Sequence, residues 1–205
     1  MASTIELAQS MPVRSKLKCW GDFALVDTTT GADLKPRGRK ARALFAYLAM
    51  HPGKAISRER LAGLLWGERA EEQARASLRT ALVELKPLAN GSLNVLEIER
   101  DNIAVRAGSL ATDLDEMQAG AGRGDYRAVL AELAEPDECL FANLDGVDEG
   151  FDEWLSIERM RQRDALTTLI ADCSAAALAQ GRVREARLLH ARALEFDSEA
   201  IAPGS

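Results

Sequence analysis

With 205 residues, of which 47% are hydrophobic and 28% charged, the chain has room for two small domains of about 100–150 residues each, and its composition excludes collagen-like and low-complexity polymers. The three cysteines, Cys19, Cys139 and Cys173, are odd in number and far apart, which argues against a disulfide framework or a zinc site and for reduced thiols packed as small hydrophobes. The net charge of −6 is divided unevenly: residues 1–108 carry 17 Lys and Arg against 12 Asp and Glu, net +5, and residues 109–205 carry 9 against 20, net −11. Such a split predicts a nucleic-acid-binding half joined to a half that must not bind nucleic acid.

Residues 1–15 read as a flexible N-terminus. They contain no apolar run behind a basic start, as a secretory signal would need, and no stretch of the chain approaches the roughly 20 apolar residues of a membrane helix. A cytoplasmic protein without a membrane partner is expected. From residue 17 the pattern is strand-like: Leu17-Lys18-Cys19-Trp20, Phe23-Ala24-Leu25-Val26 and a brief run at Leu34. A helix follows Gly38, with Ala41, Leu44, Phe45 and Leu48 on one face, and His51-Pro52-Gly53 ends it.

Lys54-Ala55-Ile56 reads as a short strand, and Ser57 as the N-cap of a helix carrying Leu61, Leu64, Leu65 and Trp66 up to a break at Gly67. Residues 71–88 form the next helix, with Ala74, Leu78, Ala81, Leu82 and Leu85 on its apolar face and Pro87, Asn90 and Gly91 as its stop signals. A hairpin comes next: Leu93 to Ile98, a tip of Glu99, Arg100, Asp101 and Asn102, and a return through Ile103, Ala104 and Val105. Sheet, helix, helix-turn-helix and hairpin is the order of a winged helix. Residues 106–112 read as a short linker, after which the signals are wholly helical, with breaks near residues 120–124, 136–137 and 146–148.

In a helix-turn-helix the second helix enters the major groove. At 100° per residue, Ala76, Arg79, Thr80, Val83 and Lys86 point away from the apolar face and Arg75 lies on its flank. Arginine can hold guanine O6 and N7 with two hydrogen bonds, and a methyl-bearing side chain can pack on the thymine methyl. Glu72 and Glu84, on or beside the same helix, would repel phosphates. Against them stand Arg37, Arg39, Lys40 and Arg42 at the first helix start, Arg58 and Arg60 at the second, and Arg100 at the hairpin tip, where it can reach a minor groove. Ser57 and the open N–H groups of its helix start suit a phosphate oxygen.

The runs Arg39-Lys40-Ala41-Arg42-Ala43-Leu44, Ile56-Ser57-Arg58-Glu59-Arg60-Leu61-Ala62-Gly63-Leu64-Leu65-Trp66-Gly67 and Ala74-Arg75-Ala76-Ser77-Leu78-Arg79 resemble the SARP group of bacterial activators, and Phe151-Asp152-Glu153-Trp154-Leu155 with Glu158-Arg159 resembles a stretch of that group's activation domain. The resemblance spans residues 16–198. It implies an α+β winged helix-turn-helix of OmpR type over residues 16–108, followed over residues 109–205 by an all-α, tetratricopeptide-like bacterial transcriptional activation domain, which appears in relatives with at least one further helix pair. It also implies that Arg39, Lys40, Ser57 and Arg58 contact phosphates, that Arg75, Arg79 and Thr80 read the major groove, and that Arg100 and Asn102 serve the wing. The implied partners are double-stranded promoter DNA, bound at tandem repeats by head-to-tail pairs of the chain, and RNA polymerase.

In the acidic half, residues 170–198 fit a tetratricopeptide repeat, with Gly181 at the turn and Ala186 and Ala193 where paired helices approach; residues 124–129 have a similar turn-then-helix pattern. Excess carboxylates on a concave helical surface suit a basic protein partner, while a spacer or dimerisation module is the plainer reading. Phe151 and Trp154 read as core residues before partner anchors. No phosphate loop, nucleophile elbow or metal-ligand spacing is present, His51 and His190 stand alone, and an enzyme, metal or cofactor is not expected. The reading is a DNA-binding activator; its alternatives are a protein-interaction scaffold or the regulatory N-terminal part of a larger ATPase or cyclase-type protein.

Overall fold

A computed structural model describes residues 13–90, 93–133 and 138–199. The N-terminal residues 1–12, the stop signal at Gly91 and the break at residues 136–137 lie outside the described residues. Strands β1 (Ser15–Lys18) and β2 (Ala24–Asp27) pair antiparallel, with Ser15 opposite Asp27 and Lys18 opposite Ala24. Trp20, expected in the first strand, instead bridges to Leu140, and the expected run at Leu34 is reduced to a single bridge between Val26 and Asp33.

Helix α1 (Arg39–Ala49) is buried on nearly all sides, since Ala43, Ala46 and Tyr47 are covered as fully as the predicted face of Ala41, Leu44, Phe45 and Leu48. Strand β3 (Ile56–Ser57) leads into α2 (Arg58–Trp66), where the Ser57 hydroxyl accepts the Arg60 N–H at 3.2 Å as the N-cap. Helix α3 (Glu71–Ala89) buries Ala74, Leu78, Ala81, Leu82, Leu85 and Leu88, each large side chain contributing about 1.5–3 kcal/mol by leaving water.

Pro87 does not stop this helix but sits in its last turn. The carbonyls left open there find other donors: Asn90 Nδ2 donates to the Lys86 carbonyl at 3.0 Å and the Val95 N–H to that of Leu88 at 2.7 Å, while Leu88 is drawn into the core. Strands β4 (Leu96–Ile98) and β5 (Asn102–Val105) form the expected hairpin, and β3 pairs with β5, giving the sheet order β3-β5-β4.

Beyond the hairpin, Ala111 and Thr112 form β6, which pairs in parallel with Lys16 and Leu17 of β1. The first sheet therefore has the order β2-β1-β6 and draws its third strand from the end of the expected linker. Helices α4 (Asp113–Gly122) and α5 (Tyr126–Glu132) turn at Gly124, whose φ of +70° suits a residue without a Cβ. After a short 3₁₀ turn (Ala142–Leu144) comes α6 (Glu149–Ala179), 31 residues long, and α7 (Val183–Glu199) folds back along it through Gly181, at φ +73°.

One continuous core runs through both halves. Asp113 is buried, and its two carboxylate oxygens accept the N–H groups of Cys19 and Trp20, each at 2.8 Å, pinning the start of α4 to the end of β1. Phe23 packs against Phe45 and Phe141, Trp20 stacks on Phe196 of α7, and Trp154 of α6 meets the Tyr47 ring at 4.8 Å. Phe151 is buried, as the core reading expects.

Candidate nucleic-acid interface

The apolar stripe of α3 fixes the opposite face outward. Arg75, Ala76, Arg79, Thr80, Val83 and Lys86 are all exposed, as the 3.6-residue period requires. Across from this face lies the β4–β5 hairpin, so helix and wing bound two adjoining clefts of about 750 Å³ and 530 Å³. Arg58 and Arg79 line both; Val83, Lys86 and Arg106 line the larger, and Ser57, Arg75 and Arg100 the smaller.

Four carboxylate residues also border the clefts: Glu59, Glu97, Glu99 and Asp101. Glu97 is held by Arg106 at 3.6 Å, and Glu71 is bonded to Arg75 one turn away on α3. Six cationic side chains against four acidic ones leave the lining net positive. Glu84, expected to repel phosphates, is otherwise engaged: its carboxylate accepts the Gly38 N–H at 2.7 Å and so caps α1, where the helix dipole favours a negative charge.

The wing tip is fastened to α2. Arg58 donates from Nε and Nη2 to the Glu99 carbonyl at 3.2 and 2.9 Å, its N–H donates to the Asp101 carbonyl at 2.9 Å, and the Glu99 N–H closes the hairpin on Asn102 at 2.9 Å. Arg100 is left exposed at the tip.

The structure brings Ser57, Arg58, Arg75, Arg79, Val83, Lys86 and Arg100 together, with Thr80 on the same helix face. Arg39 stands apart at the start of α1, exposed. Asn102 is half-buried in β5, opposite Ser57 in the pairing. Lys40 is directed elsewhere: its Nζ donates to the Leu65 carbonyl at 2.5 Å and to Asp148 Oδ2 at 2.9 Å and lies 5.3 Å from the Trp66 ring centroid, inside the junction with α6. Arg106 is the cleft residue that the sequence reading missed. Its only sequence signal is a cation directly after the second wing strand.

Burial pushes the Cys19 thiol well above its usual value, with Asp113 adding to it, and burial likewise raises Cys139 and Cys173. His51 bonds the Tyr47 carbonyl through Nδ1 at 2.8 Å and lies against the Tyr47 and Trp154 rings, a packing role.

No family model and no curated protein matches the chain. Among solved structures, Mycobacterium tuberculosis EmbR, in complex with a low-affinity phosphopeptide, is similar at 18% identity and a TM-score of 0.50. The alignment covers 93% of this chain and 62% of EmbR, so the chain spans less than two thirds of that protein's length. The likeness is one of fold: a winged helix followed by a helical domain, the SARP-type arrangement implied by the sequence motifs.

Proposed function

We propose that the chain is a transcription regulator that binds double-stranded DNA through α3 and the β4–β5 wing and engages protein through its acidic helices. The observation that carries this reading is the outward face of α3. Arg75, Arg79 and Lys86 stand on it beside small apolar side chains, and the wing closes the opposite side of the same cationic cleft. Arg100, exposed at the wing tip, is in place to hold a phosphate beside it, while Arg58 keeps that tip at the height of α2 through the Glu99 carbonyl. Residues 16–108 form the DNA-binding part and residues 109–205 the activation part. The activity is that of a promoter activator that binds tandem repeats as head-to-tail pairs and recruits RNA polymerase, an extension supported by the sequence resemblance.

Binding to a promoter library, measured at several salt concentrations, tests the reading. With about five phosphates neutralised, log K falls against log salt with a slope of roughly −4 to −5. Arg79→Ala weakens binding by about 1–3 kcal/mol and relaxes preference at one base pair. A flat salt response on every fragment, together with retained binding to a protein partner, would leave an interaction scaffold in its place.

A further inference from the structure

Resting on the DNA-binding reading, we infer that Ala76, Thr80 and Val83 form an apolar strip that recognises thymine through its C5 methyl, so that the bound site carries thymines beside the guanines held by arginine. Val83 is 59% exposed, while the other large hydrophobic side chains of α1, α2 and α3 face the core or its margin. It lines a cleft together with Arg58, Arg79, Lys86 and Arg106, so an apolar group entering that cleft would cover its isopropyl side chain.

Thr80 adds to the strip. Its hydroxyl donates to the Ala76 carbonyl at 3.2 Å, within the helix, so this hydrogen is turned away from the groove. Ala76, Thr80 and Val83 follow one another at spacings of four and three residues, which aligns them along one helix face. From Ala76 to Val83 the helix rises about 10 Å, comparable to three base-pair steps of about 3.4 Å each. On the major-groove edge of a base pair the apolar group on offer is the thymine methyl. Val83 lines the cationic cleft, and Ala76 and Thr80 continue its exposed helix face outside that lining; the cations beside Val83 bring a polyanion to this face, which selects DNA over an apolar protein segment as its occupant.

The test uses the full chain and a duplex selected by it from a random pool. Each thymine of that duplex is replaced in turn by deoxyuridine, which pairs identically but lacks the methyl. Binding is expected to weaken about fourfold at one or more positions, the loss of one buried methyl. Val83→Ala is expected to abolish the thymine preference at one of them. Thr80→Ser, which removes the methyl and keeps the hydroxyl, is expected to lower affinity more than Thr80→Val, which keeps the methyl and removes the hydroxyl. A selected duplex whose uracil versions bind equally well overturns this inference alone. Weakening by Thr80→Val but not by Thr80→Ser also overturns it, because the hydroxyl would then be the reader. Failure to select any duplex overturns the DNA-binding reading and this inference with it.

Discussion

Lys40 and Asp148, 108 residues apart in the chain, meet at 2.9 Å where α1 and α2 abut the start of α6. The lysine side chain is 32% exposed and the aspartate 10%, and Lys40 also lies over Trp66. The pair is thus a clamp between the two halves, and a phosphate would have to compete with Asp148 and the Leu65 carbonyl for the ammonium. Lys40→Ala is expected to cost about 1.5–3 kcal/mol of stability in urea unfolding, because it strips a charged partner from a largely buried carboxylate. Asp148→Ala should cost a similar amount, and the double variant less than the sum of the two. The salt slope of DNA binding should stay the same in Lys40→Ala. A slope smaller by about one unit would instead return Lys40 to the phosphate contacts expected from the sequence.

That correction marks where the sequence was legible. Local periodicity placed the buried stripe of α3, its outward arginines, the Ser57 cap and the hairpin, because each depends on neighbours within four residues or on a short turn. What escaped were pairings between distant segments: Lys40 with Asp148, Glu84 with Gly38, and Ala111 and Thr112 with β1. Two residues are too few for a strand pattern, and a lysine in a basic run looks the same whether its partner is a phosphate or a carboxylate a hundred residues away. Pro87 misled for another reason: in the last turn its missing N–H removes only the bond to the Val83 carbonyl, while the helix-end carbonyls of Lys86 and Leu88 are covered by Asn90 and Val95 beyond it.

Asp113 yields a prediction with a pH dependence. Burial raises its carboxyl above the ordinary value, against the lowering effect of the N–H groups of Cys19, Trp20 and Leu114. The native state then holds the proton to higher pH than the unfolded chain does. The contribution of this group to stability is therefore full below the unfolded value and is lost as the pH rises through the raised folded one. Asp113→Asn keeps one acceptor oxygen for two strand-end N–H groups and is expected to lose about 1–3 kcal/mol. Unfolding of both proteins between about pH 4 and pH 8 should show the gap narrowing as the pH rises. A gap constant across that range would mean that the carboxyl is not raised.

Two glycines should respond to the same change in opposite ways. Gly63 lies within α2, exposed, and a Cβ there would meet nothing within 4 Å. Gly63→Ala is expected to stabilise by about 0.5–1 kcal/mol through helix propensity and a less disordered unfolded chain. Gly150, in the first turn of α6, would carry its Cβ 3.2 Å from the Leu64 carbonyl oxygen, a backbone atom that cannot swing aside. Gly150→Ala should forfeit that gain, and Gly150→Val should lower the melting temperature outright. Equal stabilisation by both alanine variants would mean that α6 does not press on α2 this closely.

The last prediction concerns how Arg58 acts. Its guanidinium is committed to the Glu99 carbonyl through Nε and Nη2, so its first task is to hold the wing tip at the height of α2. Arg58→Ala should accordingly speed amide exchange at Glu99, whose N–H closes the hairpin on Asn102, while global stability falls by less than about 1.5 kcal/mol, the usual scale of one hydrogen-bonded contact. Arg58→Lys, which cannot present two donors to one oxygen from a planar fork, should behave like the alanine variant in exchange. DNA affinity should drop in both, because Arg100 at the tip no longer has a fixed position relative to α3. If exchange at Glu99 stays unchanged while the salt slope falls by about one unit in Arg58→Ala, Arg58 acts on a phosphate directly and the wing holds its position without it.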